Sequence, residues 1–441
     1  MRMLASQVAE AAGGAVVGPD VVIEGASFDS RTIVAGQLFV PLIAERDGHE
    51  FISRAVEGGA VAYLTSRGRT ASLGATAILV DDTADALMRL AAWGRQRLPG
   101  PVVAVTGSVG KTSTKDLVRA ALAPTFRVAA NERSYNNEQG LPVTVLGAPD
   151  DTEVLVVEMG MRGFGEITRL CDVARPSIGV VTAVAGAHTE RVGGIEGVAV
   201  AKRELVEALP AGGVAVLNGD DARVAAMAAY TDATVVMYGR LSHRTVDEVI
   251  VVVADLELDA FARPRFTVQT PWGSERVELS VSGEHMAFNA AAAIAVAGVL
   301  HGSIEAAVAA LEHAKVSAHR MQVGRALSGA TIVDDAYNAN PDSMRAALNA
   351  LAAMSARRRV AVLGRMAELD DPEAGHRQVA ADAAERRIEL IAVGTDLYGV
   401  EPAADTASAV AAVGELNDGD AVLVKASNSA ELWHVAEALL G

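Results

Sequence analysis

The sequence predicts an α/β protein built from three successive α/β units, and three observations support this fold class. Hydrophobic residues make up 51% of the chain, whereas aromatic residues make up only 4%. Short apolar runs alternate with helical segments, which is typical of buried parallel strands with helices on both faces. A length of 441 residues is enough for about three domains of roughly 100–200 residues each.

The first predicted unit covers residues 1–97. It contains short apolar segments and many glycines, with a strand predicted over 77–80 and a helix over 83–96. The segment RLPG at 97–100 follows this helix. Because proline and glycine interrupt regular structure, we expect a domain boundary there.

The second predicted unit covers residues 98–316. Its buried strands are predicted within 101–106, 153–160, 177–184 and 213–221, and helical segments separate them. Residues 245–283 alternate in polarity and contain a Pro-Trp-Gly turn, which predicts a small antiparallel β element. An alanine-rich helix is predicted over 287–300. The unit is therefore expected to be a mostly parallel sheet with an antiparallel addition.

The third predicted unit covers residues 317–441. Four apolar runs, TIVDD, RRRVAVLG, IELIAVG and GDAVLVKAS, predict four strands with helices between them. This alternation predicts a Rossmann-like unit of roughly 120 residues.

Composition excludes several classes of function. The chain has 55 acidic and 38 basic residues, a formal net charge of −17, which argues against binding nucleic acid or anionic membranes. The single cysteine, Cys171, excludes an internal disulfide framework. The longest apolar run, 290–300, is too short to span a bilayer, and the first residues do not resemble a signal peptide. We expect a cytoplasmic protein without membrane insertion.

The strongest motif is a glycine-rich segment between a predicted strand and a predicted helix. It consists of Thr106, Gly107, Ser108, Val109, Gly110, Lys111, Thr112 and Ser113. Its glycines allow backbone N–H groups to surround phosphate oxygens, and the helix start adds the positive end of its dipole. Lys111 would reach the β- and γ-phosphates, and Thr112 would bind Mg²⁺. Val105 replaces the first glycine of the usual pattern, so we predict a variant P-loop; the alternative is a plain βα turn.

Glu158 ends the predicted strand VLVVE. A carboxylate at the carboxyl end of a strand beside a phosphate loop is well placed to be a further Mg²⁺ ligand. A solvated glutamate at the end of a strand is the alternative.

Motifs in all three units together resemble the Mur ligase family, the ATP-dependent amide-forming enzymes of peptidoglycan synthesis. They are DSR, LFV and DGHEFI in the first unit, TGSVGKTSTK, NNEQGLP, EMGMRGFGEI, AHTERVGG, AKRE and LNGDD in the second, and HRMQV, DDAYNANPDSM and LGRMAEL in the third. The Tyr-Asn-Ala-Asn-Pro segment resembles the member that adds D-alanyl-D-alanine. The member that adds diaminopimelate has Asp-Asn-Pro-Arg in the corresponding loop.

The resemblance implies a substrate pair and a reaction. UDP-N-acetylmuramoyl-tripeptide, D-alanyl-D-alanine and ATP would give UDP-muramoyl-pentapeptide, ADP and phosphate through an acyl phosphate. One or two Mg²⁺ ions would assist, and the first unit would bind the UDP group. The resemblance also implies peptidoglycan synthesis in the cytoplasm, and we expect a monomer.

The resemblance also implies roles for individual residues. The expected catalytic residues are Lys111, His188 and Lys202. The expected metal ligands are Thr112, Glu158, His188 and Lys202, with Lys202 carbamylated by CO₂. Besides the phosphate loop, the expected nucleotide contacts are Asn289, Arg320, Asp335 and Asn338. The expected substrate contacts are Ser30, Arg31, Asp47, His49, Asn137 and Asn340, with Gly48 nearby.

Some of these residues have structural alternatives, and two positions depart from the family pattern. Arg31 would otherwise form a surface ion pair, and Asn338 and Asn340 would form an Asx turn before Pro341. Met286 replaces the usual asparagine of the adenine-binding stretch, and Arg365 stands where an acidic residue is common.

Three other functions stay open from the sequence. A folylpolyglutamate synthase-like ligase shares the ATPase core, although the Tyr-Asn-Ala-Asn-Pro loop and a first unit of about 97 residues do not fit it. A sibling Mur ligase, or a relative that makes a product outside the cell wall, is the second. A nucleotide-binding module without ligase chemistry is the third, and it would not require Lys111, Glu158, His188 and Lys202 together.

Overall fold

A computed structural model of the chain describes residues 1–67, 74–131, 135–186, 192–240, 249–300, 304–367, 369 and 371–441. Three main β-sheets occupy successive stretches of the chain, which confirms the predicted α/β class. No helix within these ranges combines the length and apolar character needed to cross a membrane.

The first stretch contains a five-stranded sheet in the order β2-β7-β6-β5-β4 and a β1–β3 pair. The strands are β1 (Arg2–Leu4), β2 (Ala15–Val17), β3 (Val22–Glu24), β4 (Ala26–Ser27), β5 (Leu38–Phe39), β6 (Ala62–Thr65) and β7 (Thr76–Leu79), and the helices are α1 (Ala5–Ala12), α2 (Ile52–Glu57) and α3 (Thr83–Gln96). Helix α3 has the predicted bounds, and the predicted strand at 77–80 is β7, one residue earlier.

The middle stretch builds one sheet from nine described strands, in the order β16-β15-β14-β13-β12-β11-β8-β10-β9. Its elements are β8 (Val102–Thr106), α4 (Lys111–Leu122), β9 (Val128–Ala130), α5 (Gly140–Gly147), β10 (Val154–Glu158), α6 (Glu166–Ala174), β11 (Ile178–Val181), α7 (Ile195–Glu207), β12 (Val214–Asn218), α8 (Ala222–Ala225), β13 (Thr234–Gly239), β14 (Val249–Leu258), β15 (Pro264–Thr270), β16 (Gly273–Glu278), α9 (His285–Val299) and α10 (Ile304–Glu312).

Strand β8 is apolar throughout because both of its faces are buried. Val103 and Val105 pack into a core shared with α4 and α9, whereas Val102 and Ala104 pack into a core shared with α3 and α5. Strand β8 pairs in parallel with β10 on one side and β11 on the other. The chain therefore leaves β8 at the point where the strand order reverses, which is where open α/β sheets bind ligands.

The predicted antiparallel element is present and is continuous with the parallel sheet. Strand β14 pairs in parallel with β13 and antiparallel with β15, and β15 pairs antiparallel with β16. Polar side chains alternate along β15 and β16, as expected for strands with one solvated face.

The last stretch forms a sheet in the order β17-β18-β21-β19-β20. Its elements are β17 (Gln322–Arg325), β18 (Thr331–Asp334), α11 (Pro341–Ala353), β19 (Arg358–Leu363), α12 (Pro372–Glu385), β20 (Glu389–Ala392), α13 (Thr406–Val413), β21 (Asp420–Lys425) and α14 (Trp433–Leu440). All four predicted strands are present. Strand β17, an antiparallel edge strand, was not predicted.

Candidate active site

The phosphate-loop segment forms the connection between β8 and α4. Gly107 has φ 148° and Gly110 has φ 83°, values that side-chain-bearing residues rarely adopt. A Cβ atom at Gly107 would lie 1.8 Å from the Thr182 hydroxyl oxygen. The loop can therefore follow this path only with glycine at 107.

Neighbouring strands hold the loop in place. The Ser108 N–H donates to the Ala183 carbonyl at 2.8 Å, and the Thr182 hydroxyl donates to the Val109 carbonyl at 2.6 Å. The Lys111 ammonium donates to the Gly107 carbonyl at 2.7 Å, so it lies across the mouth of the loop. These bonds fix the backbone before any ligand arrives, which lowers the cost of binding an anion.

Seven of the eight predicted loop residues line two adjoining cavities. The exception is Thr106, which is fully buried and donates to the Met159 carbonyl at 2.8 Å. Its place is beneath the loop, so it supports the loop instead of contacting a ligand. The lining residues are Gly107, Ser108, Val109, Gly110, Lys111, Thr112 and Ser113.

Glu158, at the end of β10, lies directly behind the loop. Its carboxylate is 1% exposed and accepts hydrogen bonds from the Thr112 hydroxyl at 2.7 Å and from Asn136 Nδ2 at 2.8 Å. The side chain of the predicted residue, Asn137, instead accepts from the N–H groups of Gln139 and Gly140 at the start of α5. The structure thus places Asn136 at Glu158, a contact that was not predicted. Asn137, which is predicted to contact substrate, lines the first cavity beside Asn136.

These residues fit a divalent cation. Glu158 is a buried carboxylate, and both of its hydrogen-bond donors here are uncharged. A carboxylate and a hydroxyl oxygen are the hard ligands that Mg²⁺ prefers. The described residues contain no group of three or more His, Cys, Asp or Glu side chains arranged to hold a metal ion. His188 lies outside the described residues.

Lys202 lies on α7 and lines the same cavity as Gly107, Ser108 and Lys111. Its side chain is buried, with 2% exposure. Burial, and secondarily the positive charge of Lys111, holds the pKa of Lys202 well below its ordinary value. The amine is therefore shifted towards its neutral, nucleophilic form.

The two cavities meet at the phosphate loop. The first has a volume of about 710 Å³ and the second about 420 Å³. Both are lined by Ser108, Lys111, Asn136 and Asn338. A group bound in one cavity can therefore reach a group bound in the other across Lys111.

The second cavity extends along the start of α9. His285, Met286 and Asn289 line it, and Asn289 Nδ2 lies 3.6 Å from the Met286 sulfur. A Cβ atom at Gly110 would lie 3.0 Å from Asn289 Oδ1, so this amide packs against the end of the phosphate loop. Burial lowers the pKa of the His285 imidazole.

Residues from 320 onwards also line the second cavity. Arg320 lies over the Tyr337 ring, 4.3 Å from its centroid, and Asp335 pairs with Lys425 at 2.5 Å. Lys425 also donates to the Asn338 carbonyl at 2.8 Å. Lys425 was not predicted, although it holds the segment that carries two predicted residues.

Asn340 lines the second cavity, but its side chain has a structural role. It accepts from the Ser343 N–H at 2.8 Å and caps α11, while the Ser343 hydroxyl accepts from the Asn340 N–H. This is the turn before Pro341 that the sequence offered as the alternative. That Asn340 also contacts substrate stays a prediction.

The predicted substrate residues of the first stretch line neither cavity. Arg31 forms a bidentate pair with Asp29, at 2.9 and 2.7 Å, which is the ion pair given as its alternative. Ser30 precedes it in the same partly exposed loop. Asp47 and His49 pair at 2.7 Å, and hydrogen bonds from His49 lower the pKa of Asp47.

The fold and site define a class of protein, a phosphate-loop α/β enzyme whose nucleotide-sized cavity adjoins a second ligand cavity. Family models match two regions: the Mur ligase middle domain at residues 105–297, and the Mur ligase glutamate ligase domain at 319–428. The chain belongs to the Mur ligase family.

Individual relatives match the whole length of the chain. It is 40% identical to the UDP-N-acetylmuramoyl-tripeptide--D-alanyl-D-alanine ligase of Mycobacterium tuberculosis, over 100% of this chain and 98% of the relative. It superposes on MurF from Acinetobacter baumannii with a TM-score of 0.88, 27% identity and coverage of 100% and 99%. MurF from Thermotoga maritima in complex with ADP gives a TM-score of 0.78, 26% identity and coverage of 94% and 97%.

Proposed function

We propose that the chain is an ATP-dependent ligase that joins D-alanyl-D-alanine to UDP-N-acetylmuramoyl-tripeptide in the cytoplasmic stage of peptidoglycan synthesis. The products are UDP-muramoyl-pentapeptide, ADP and phosphate. The observation that carries this proposal is the pair of cavities sharing Lys111 and Asn136. The relatives that match the whole chain act on these substrates, according to their names.

In the first step, an oxygen of the tripeptide's terminal carboxylate attacks the γ-phosphorus of ATP, and the bond to the ADP oxygen breaks. ATP occupies the second cavity, and the peptide carboxylate enters from the first. The reaction needs positioning and charge neutralisation more than covalent help from the protein. Lys111, at the junction of the cavities, neutralises charge on the transferred phosphoryl group.

In the second step, the amine of D-alanyl-D-alanine attacks the acyl carbon and forms a tetrahedral intermediate. The bond between the acyl carbon and the phosphate oxygen then breaks, phosphate leaves with its electron pair and the former carboxylate oxygen, and the amine nitrogen loses its proton to solvent. Mg²⁺ held by Thr112 and Glu158, with His188 and Lys202 as further ligands, would neutralise phosphate charge when bound. Lys202 would contribute as a carbamate, formed when its neutral amine adds CO₂ and releases a proton.

We assign the first unit to the UDP substrate and the other two units to the nucleotide. Residues 1–97, with Ser30, Arg31, Asp47 and His49, bind the UDP group. Residues 98–316 bind ATP, and residues 317–441 complete the nucleotide site with Arg320, Asp335 and Asn338. We infer that the protein works as a monomer.

The test is the release of phosphate from ATP and UDP-muramoyl-tripeptide, with and without D-alanyl-D-alanine, together with the mass of the product. Sustained release that requires both substrates, with pentapeptide formed in equal amount, supports the proposal. Lys111→Ala is the control: it should fold but lose activity by about 10²–10³-fold or more, because it removes a charge from the transition state. Equal turnover without D-alanyl-D-alanine would refute the assignment.

A further inference from the structure

A buried ion pair occupies the second turn of α4, the helix that begins at the phosphate loop. Lys115 and Asp116 are 1% and 7% exposed, and the Lys115 ammonium lies 2.9 Å from Asp116 Oδ1. The same ammonium donates to the Asn131 carbonyl at 2.6 Å. Burying two charged side chains costs free energy of folding. We therefore asked what else the two side chains contact.

The second carboxylate oxygen of Asp116 holds the segment that leads to the last sheet. Asp116 Oδ2 accepts from both the N–H and the hydroxyl of Ser317, each at 2.7 Å. Ser317 lies between α10 and β17, 201 positions away along the chain. Short hydrogen bonds to a charged group are stronger than those between neutral groups. They attach the start of the linker to α4 at Ser317.

The next residues of the linker are fixed to the last sheet instead. His319 Nδ1 lies 2.6 Å from Asp334 Oδ2, and its ring stacks on Trp433 with centroids 5.0 Å apart. The Met321 N–H donates to Asp335 Oδ1 at 3.1 Å. His319 and Met321 have φ values of 59° and 50°, which residues other than glycine adopt only when surroundings impose them. Ala318 is thus the single residue between the two sets of anchors.

We propose that Asp116 is a positioning residue for the ligase reaction, a role that rests on the function proposed above. It fixes the point at which the linker leaves the middle sheet, so the last unit turns about Ala318. Arg320 follows two residues later and lines the nucleotide cavity. Asp116 therefore sets the position at which Arg320 and Asp335 line the nucleotide cavity beside the start of α4.

The proposal predicts a specific kinetic change. Without Asp116 the last unit still folds, but it holds Arg320 and Asp335 at the nucleotide cavity less often, so kcat falls. The KM for the UDP substrate stays the same, because that substrate binds elsewhere. Since two hydrogen bonds to a charged group are lost, kcat should fall by about tenfold or more.

Three variants separate positioning from folding. Lys115→Met with Asp116→Ala removes both buried charges together, and Lys115→Met alone keeps the contact to Ser317. Ser317→Ala deletes one hydrogen bond and leaves no buried charge unpaired, so it remains informative if the double variant does not fold. Each is assayed for kcat and both KM values, and its folded fraction is measured by thermal unfolding.

A distance measurement reports position without reference to activity. Spin labels on cysteines introduced at the exposed positions Ala123 and Glu415 give the distance distribution between the two units with ATP and Mg²⁺. We expect one narrow distribution for the parent protein and for the folded fraction of Lys115→Met, a broader one for the double variant, and an intermediate one for Ser317→Ala. Wild-type kcat and an unchanged distribution in a folded double variant, or in Ser317→Ala if the double variant is unfolded, would overturn the proposal. A parent protein that makes no amide product would refute the proposed function instead.

Discussion

Lys202 and Lys111 line the same cavity, and burial together with the charge of Lys111 holds the pKa of Lys202 well below its ordinary value. A buried ammonium beside a second cation is unfavourable, and it would repel Mg²⁺. A neutral amine avoids both problems and is also the form that reacts with CO₂. The geometry of this pair therefore supports a carbamate at Lys202.

The first prediction concerns the loss of this side chain. Lys202→Ala should be nearly inactive, and acetate or formate should restore part of the activity by supplying the missing oxygen ligands. The measurement is kcat with increasing carboxylic acid. Arg203→Ala is the matched control on the same helix, because Arg203 pairs with Glu207 and is not a site residue; it should stay active and show no rescue. A fully active Lys202→Ala would exclude the carbamate.

The second prediction concerns stability against pH in CO₂-free buffer. The pKa of Lys202 is lowered in the folded state, while the unfolded chain has the ordinary value of 10.5. The unfolded state therefore binds more protons below pH 10.5, so Lys202 destabilises the fold increasingly as pH falls towards its folded pKa. Lys202→Met should be more stable than the parent at pH 7, with the difference shrinking towards pH 10. Denaturant unfolding measures this difference in stability between the two proteins. A difference that stays the same from pH 7 to pH 10 would contradict the prediction.

The third prediction separates two adjacent asparagines. Asn136 bonds Glu158, so Asn136→Ala should lower activity or Mg²⁺ affinity by about 10–100-fold, as for other groups that orient metal ligands. The Asn137 side chain accepts from the Gln139 and Gly140 N–H groups at the start of α5, so Asn137→Ala should cost about 0.5–2 kcal/mol of stability with Mg²⁺ affinity largely retained. Magnesium titrations and unfolding curves of both variants provide the comparison. The reverse pattern would contradict these roles of Asn136 and Asn137.

The fourth prediction concerns Lys425. Its ammonium bonds the Asp335 carboxylate and the Asn338 carbonyl, so Lys425→Met should loosen the segment that faces the nucleotide. We expect the KM for ATP to rise by about tenfold or more, because one member of a buried ion pair is lost. Arg325→Ala, which removes an exposed pair with Asp418, should leave it unchanged. Equal KM values for the two variants would contradict the role of Lys425.

The sequence predicted the parts of the site that are contiguous in the chain. The loop from Gly107 to Ser113 is recognisable because its glycines and Lys111 act through local backbone geometry. The buried strands are recognisable because both faces of β8 require apolar residues. Strand β17 escaped prediction because its residues, QVGR, are mostly exposed at a sheet edge and give no apolar run.

Contacts between distant segments could not be predicted in the same way. The bond between Asp116 and Ser317, and the pair of Lys425 with Asp335, depend on how separate sheets pack. The contact of Asn136 with Glu158 was not predicted either, because it depends on which of two neighbouring asparagine side chains turns towards Glu158 in the folded chain. Asn340 shows the opposite case, since Pro341 at the first helical position already indicated a cap.

The acyl phosphate route is tested most directly by following one oxygen atom of the tripeptide carboxylate. UDP-muramoyl-tripeptide labelled with ¹⁸O in its terminal carboxylate is incubated with ATP, Mg²⁺ and D-alanyl-D-alanine, and the released phosphate is analysed by mass spectrometry. If the carboxylate attacks the γ-phosphorus and phosphate later leaves the acyl carbon, one labelled oxygen appears in each phosphate formed with pentapeptide. Pentapeptide formed with unlabelled phosphate would contradict the acyl phosphate route and the role given to the two cavities joined at Lys111.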